Sequence, residues 1–333
     1  MNRINRLETD LDGTRPLDFL VVGAQKSGTT ALWEYLRGHP RIFLPASKEA
    51  PFFNNDSYYG EGYRSFAKDY FAKAEKSSLW GVVSPQYMSN REITKRVALT
   101  LPSARIVAVL RDPVSRAISH FKMARRRGQE TRSIDQAFMD GLAVERLHEA
   151  RDLPASPGSE SRCYLAWGEY GRILGHYLDE YGADRILILF FEDLVKKPGD
   201  SVDRLMSFLG LPTGYRPENL GEQIFAGTTE SRFPGIKEGF HRSVLGRMWK
   251  HLPRETRARL SFTFERINSA PLKEYEREAA TPSDSTIGAL GEFFLPDVAL
   301  LEKSFGVSAP WPRFGELRAR LKDQPATEIR RSA

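Results

Sequence analysis

Asp18-Phe19-Leu20-Val21-Val22-Gly23-Ala24-Gln25-Lys26-Ser27-Gly28-Thr29-Thr30-Ala31-Leu32-Trp33-Glu34-Tyr35-Leu36-Arg37-Gly38 is the stretch on which the reading of this chain turns. An apolar run rich in branched residues passes into a Gly, Lys and Ser loop, then into a spacing, Leu32 and Leu36, that fits a helix. Strand, loop and helix in that order aim backbone N–H groups and the positive end of a helix dipole at one spot, where an oxyanion is the natural occupant. The loop is read as a phosphate-binding loop.

From Gly23 to Gly28 the spacing G-x-x-x-x-G matches nucleoside triphosphatases, but the position after Gly28, where that motif needs Lys, is Thr29. The loop's lysine is Lys26, inside it, where it can approach the bridging oxygen of a 5′-phosphate-linked leaving group. Gly23 to Leu32 resembles the 5′-phosphosulfate loop of sulfotransferases that use 3′-phosphoadenosine 5′-phosphosulfate. It is most similar to the branch containing heparan sulfate sulfotransferase domains and bacterial relatives. The resemblance implies that Lys26, Ser27, Gly28, Thr29 and Thr30 hold the donor's 5′ end and that Lys26 is also catalytic.

At 333 residues and 37.8 kDa, with 41% apolar residues, the chain can bury a substantial core. The net charge of +6 suits an anionic cofactor or acceptor as well as nucleic acid and does not choose between them. One cysteine, Cys163, excludes an internal disulfide framework and a cysteine-based metal cluster. The sequence has no apolar run long enough to span a bilayer and no apolar signal core before Pro16, so a soluble, cytoplasmic protein is expected.

Four apolar runs, Leu17 to Val22, Leu79 to Val83, Arg105 to Leu110 and Arg185 to Phe191, are separated by stretches of helical spacing. The expected fold is α/β: a single domain with a central parallel sheet flanked by helices. Its expected limits are residues 17–312, after a flexible segment 1–16 and before a loose polar tail 313–333. Ligands of such sheets bind beyond the carboxyl ends of the strands, so Gly23 to Thr30, Ser84 to Tyr87 and Arg111 to Asp112 should share one crevice. Loops are expected at Arg151 to Ser161 and Leu211 to Gly221.

In Lys48-Glu49-Ala50-Pro51-Phe52-Phe53 the aromatics should bury and carry Glu49 inward, where a partly desolvated carboxylate gains a raised pKa and can act as a general base. The resembled branch has its acceptor-deprotonating glutamate in Glu-x-x-Phe-Phe, which implies Glu49. Ser84-Pro85-Gln86-Tyr87 resembles the family's exit from its second strand, with Val83 where many members carry lysine. Arg111 ends the third apolar run, Asp112 can cap the next helix and Pro113 suits its first turn. Arg111-Asp112-Pro113 followed by Ser119 resembles the family's 3′-phosphate motif, implying Arg111 and Ser119 as ligands, and Arg232 echoes a further 3′-phosphate contact.

Trp167 to Tyr170, Phe191 to Leu194 and Phe293 to Val298 resemble scaffold elements of the same family. Arg125 to Arg127 and Lys237 to Arg259 are read as basic surfaces, the latter either a solvated helix face or a landing surface for an anionic acceptor or membrane. The expected activity is sulfuryl transfer to a hydroxyl or amine of a saccharide or glycolipid, without a metal. A secondary metabolite or carrier-bound intermediate is the alternative acceptor, and a P-loop nucleotide kinase the alternative of another class. No recognition helix or repeated surface aromatics point to nucleic acid.

Overall fold

The computed structural model describes residues 14–75, 77–153, 158–222 and 281–323, with the short stretches 229–231, 256, 260 and 269–271 between the last two. Parallel strands β1 (Phe19–Gly23), β2 (Ile42–Phe43), β3 (Leu79–Val83), β4 (Arg105–Leu110) and β5 (Ile186–Phe190) form one sheet in the order β2-β3-β1-β4-β5. Helices α1 (Thr29–Leu36), α2 (Asp56–Gly60), α3 (Tyr63–Phe71), α4 (Arg91–Thr100), α5 (Pro113–Arg126) and α6 (Ile134–Leu142) belong to the first half of the chain. Helices α7 (Val144–Asp152), α8 (Tyr170–Tyr181), α9 (Phe191–Lys196), α10 (Pro198–Phe208), α11 (Asp284–Phe305) and α12 (Pro312–Asp323) follow.

The four apolar runs are four of these strands. The fifth, β2, is two residues long with Pro45 close behind, too short to show a period. Both faces of the sheet are covered, which is why its strands read as continuous apolar runs. Alternate residues enter opposite cores: Leu20, Val22, Val82, Ile106, Ala108 and Ile188 join one, while Phe19, Val21, Val83, Val107, Val109 and Leu189 join the other. The first core is completed by α4, α5, α8 and α11, the second by α1 and α10.

Both chain-end expectations need correction. The region 313–323 is not a loose tail, because α12 buries Phe314 beside Trp311 and ties Arg318 to Glu302 at 2.6 Å. Trp311 just before the helix, with Phe314 and the partly buried Leu317 within it, fixes the helix to the core. At the other end, Arg15 sits 4.8 Å over the Trp80 ring and bonds Asp18 and the Ser78 carbonyl, both at 2.9 Å, so the ordered domain begins before residue 17. Residues 1–13 and 324–333 lie outside the described residues. The expected loop at Arg151 to Ser161 is shorter, since Arg151 and Asp152 end α7 and Glu160–Arg162 form a 3-10 turn.

Helices α8 and α11 meet where Gly171 has no side chain: a Cβ there would lie 2.4 Å from the Asp297 carbonyl oxygen and 2.9 Å from the Leu301 nitrogen. Asp297 of α11 also caps α8, accepting from the Gly171 and Arg172 N–H groups at 2.8 Å each. Gly171→Ala is expected to cost about 1–3 kcal/mol, the usual range for overpacking, because both clashing atoms are backbone. Urea unfolding checks this, and an unchanged midpoint would show that the two helices separate freely.

Candidate active site

Chain order reverses between β1 and β4 at the centre of the sheet, so the segments after these strands open on one crevice. Gly28 is the N-cap of α1 at φ 86°, and a Cβ on it would lie 2.8 Å from Cδ2 of Phe191, so glycine is required on two counts. No side chain caps this helix start and no acidic residue lies in its first turn. Lys26 also has positive φ, at 71°. Ser27 Oγ, fully buried against Tyr170, makes no hydrogen bond of normal geometry among the described groups. An uncapped helix N-terminus beside a buried hydroxyl whose nearest partner, Tyr170, is poorly aligned fits an anion.

Arg111, just past β4, reaches back to this loop. Its guanidinium donates to the Lys26 carbonyl at 3.4 Å and sits 4.8 Å over the Phe191 ring, while the Tyr170 hydroxyl donates to the Arg111 carbonyl at 3.0 Å. Asp112 caps α5 by accepting from the Ser115 N–H at 2.7 Å. Ser115, Ser119, Lys122 and Arg126 recur at helical spacing along α5 and share one of its faces. Burial lowers the pKa of Lys122, with Arg126 and Arg111 adding to it, so that face is a cationic rim.

Lys26 is the focus of this charge. Burial first, then the cations Arg126, Arg127, Lys48 and Arg111, push its ammonium down to about 7. Arg126 and the exposed Arg127, read from the sequence as a basic surface, also bear electrostatically on Lys26, and for Arg126 the period of α5 was the available signal. Such a set of cations also suits an anionic ligand.

Glu49 lies where β3 ends. Ser84 Oγ accepts from the Ala50 N–H at 3.0 Å, the Tyr87 hydroxyl bonds the Ala50 carbonyl, and Gln86 Nε2 donates to Glu49 Oε2 at 3.0 Å. Lys48, itself buried, bonds Glu49 Oε1 at 3.3 Å. Phe52 and Phe53 bury as expected, Phe52 stacking on Phe66 at 4.8 Å, but they do not carry the glutamate with them: its side chain stays 46% exposed. The expected raised pKa is therefore corrected. Crowding by the protein pushes the carboxyl up, yet Lys48, the Gln86 bond and Arg127 outweigh it and hold it below the ordinary carboxylate value. The exposed face and the adjacent ammonium decide the direction. Val83 packs in the second core, and the cation beside Glu49 is Lys48.

A second carboxylate, which the sequence did not reveal, is buried nearby. Glu160 accepts from Gln25 Nε2 at 3.4 Å and from Arg127 at 3.0 Å. Arg232 and nearly all of Lys237 to Arg259 lie outside the described residues. Among the described residues no group of three or more His, Cys, Asp or Glu could hold a metal ion, and no helix is long and apolar enough to cross a membrane.

A family model described as "Sulfotransferase domain" matches residues 16–251, and the chain belongs to that family. A membrane-associated sulfotransferase of Dictyostelium discoideum is 39% identical over 106 residues, 31% of this chain and 22% of that protein. A bifunctional heparan sulfate N-deacetylase/N-sulfotransferase 2 of Bos taurus is 30% identical over 200 residues, covering 58% and 22%. Human heparan sulfate glucosamine 3-O-sulfotransferase 6 is 30% identical over 196 residues, covering 58% and 52%. The chain thus spans about a fifth to a half of these relatives. A sulfotransferase from Alicyclobacillus acidocaldarius shares the fold at TM-score 0.60 and 22% identity, covering 89% of this chain and 98% of that one.

Proposed function

We propose that this sulfotransferase moves a sulfuryl group from 3′-phosphoadenosine 5′-phosphosulfate to a hydroxyl or amine of a saccharide or glycolipid. The observation that carries the reading is the placement of Lys26 inside an uncapped loop that Arg111 grips from the neighbouring strand end. The bound donor would supply an electrophilic sulfuryl group on a phosphate leaving group. Ser27, Gly28, Thr29 and Thr30 bind its 5′ end through loop and helix N–H groups and hydroxyls. Arg111 and Ser119 hold the 3′-phosphate, with Arg232 as an additional sequence candidate. Lys26 places positive charge where the departing phosphate gains negative charge, and Glu49 takes the acceptor's proton. The saccharide acceptor rests on the kinship with the heparan sulfate enzymes.

3′-Phosphoadenosine 5′-phosphate is expected to raise the melting temperature, and ATP to do little. Equal stabilisation by both nucleotides would favour the kinase reading. Binding should also depend on pH in a set direction. Lys26 is half neutral near pH 7 when free, and an anionic ligand favours its charged form, so binding takes up a proton above that pH. The bisphosphate Kd is accordingly expected to rise by up to about tenfold per pH unit between 7 and 9, by proton linkage. Lys26→Arg should flatten that slope, and a flat wild-type profile would mean that Lys26 stays charged without ligand.

A further inference from the structure

Glu160 sits on the 3-10 turn Glu160–Arg162, far in sequence from the loop and from α5, yet it ties the two together. One carboxylate oxygen accepts from Gln25, the residue before Lys26, and the other accepts from Arg127, the C-cap of α5. The carboxylate is 8% exposed and its arginine partner 39%, so the acid is the fixed member of the pair and the guanidinium the one that is held. Arg127 in turn bears on two other groups: its charge acts on the Lys26 ammonium and on the Glu49 carboxylate. A long side chain at a helix end has many rotamers, and a buried anchor removes that freedom.

We infer that Glu160 is a positioning residue of the transfer site: its buried carboxylate, joined to Gln25 of the loop, fixes the Arg127 guanidinium within electrostatic reach of both Lys26 and Glu49. Arg127 keeps a positive charge close to the proposed leaving-group and base residues, and Glu160 keeps Arg127 there. This rests on the donor-binding reading above, and its consequence can be measured without turnover. The cations that bear most on Lys26 are Arg126, Arg127, Lys48 and Arg111, and the buried His120 ring feels the Lys26 charge as well. If Arg127 is released, one of these four is lost, Lys26 gains protons when free, and fewer are taken up on binding.

Calorimetric titration of 3′-phosphoadenosine 5′-phosphate at pH 8, in buffers of different ionisation enthalpy, reads that proton number. Wild type is expected to take up most of one proton. Arg127→Gln and Glu160→Gln should each lower the uptake by a similar amount, the double variant no further than either, and Arg127→Lys should retain it. Melting curves establish that each variant is folded, and Gln25→Ala provides a second route to loosening Glu160 should Glu160→Gln fail to fold. Unchanged uptake in folded Arg127→Gln and Glu160→Gln, or effects that add in the double variant, would overturn the inference. Failure of the bisphosphate to bind wild type would instead remove the donor-site reading.

Discussion

Glu49→Gln is expected to lower sulfuryl-transfer turnover by about 10²–10⁴-fold, the usual range for losing a general base. The amide keeps the shape and, through its one acceptor oxygen, the contact from Lys48, while Gln86 must turn its own amide to stay bonded; it cannot take a proton. Affinity for 3′-phosphoadenosine 5′-phosphate should change less than about twofold. Turnover on a saccharide acceptor found by mass-spectrometric screening, with calorimetry for the nucleotide, makes the comparison. Because the Glu49 pKa is lowered, its ionised form persists below the ordinary carboxylate range, and the acid limb of kcat/KM should appear only there. Near-normal turnover would move the base elsewhere, and neither histidine near these motifs is suited to the task. His120 is fully buried, stacked 5.2 Å from Trp167, and burial holds its pKa well below the usual imidazole value. His39 accepts from the Arg41 N–H at 3.1 Å and packs edge-on against Tyr215, beyond the far end of α1.

Arg111→Ala is expected to weaken bisphosphate binding by about 2–5 kcal/mol, the range for truncating one partner of a buried charge pair, or roughly 30-fold to several thousand-fold. The same change removes a cation that lowers the Lys26 pKa, so the pH slope of binding should shrink as affinity falls. Arg111→Lys restores charge without the planar fork and should recover only part of the affinity. Affinity within about threefold of wild type for Arg111→Ala would take the 3′-phosphate away from this residue.

Much of this was legible in local sequence. The strand-loop-helix unit from Phe19 to Leu36, the strand end at Arg111 and the Asp112-Pro113 helix start are each written within a few residues, because strand, cap and turn chemistry act over that distance. β2 was not legible, since a two-residue strand exists only through its pairing with Leu79 and Trp80. Long-range pairing also hid Glu160, whose partners lie 135 and 33 residues away. For Glu49 the local sequence pointed to a raised pKa, and the fold lowers it. The Phe52-Phe53 pair announced burial, but whether a neighbouring carboxylate follows depends on Lys48 and Gln86, and only the fold brings Gln86 there.

Helix α5 acts as a measuring rod. Arg111 stands at its threshold and Arg126 and Arg127 at its far end, so 14 residues at about 1.5 Å each set the separation between the strand-end arginine and the arginine pair, roughly 21 Å of backbone. Length along such a rod is counted in residues, and rotation about it is locked to the same count. One inserted residue would turn everything beyond it by about 100°, sending Ser119 and Arg126 off the face that Ser115 defines. A change of length in the connection around Leu211 to Gly221 would leave that register untouched, whereas one inside the helix would not.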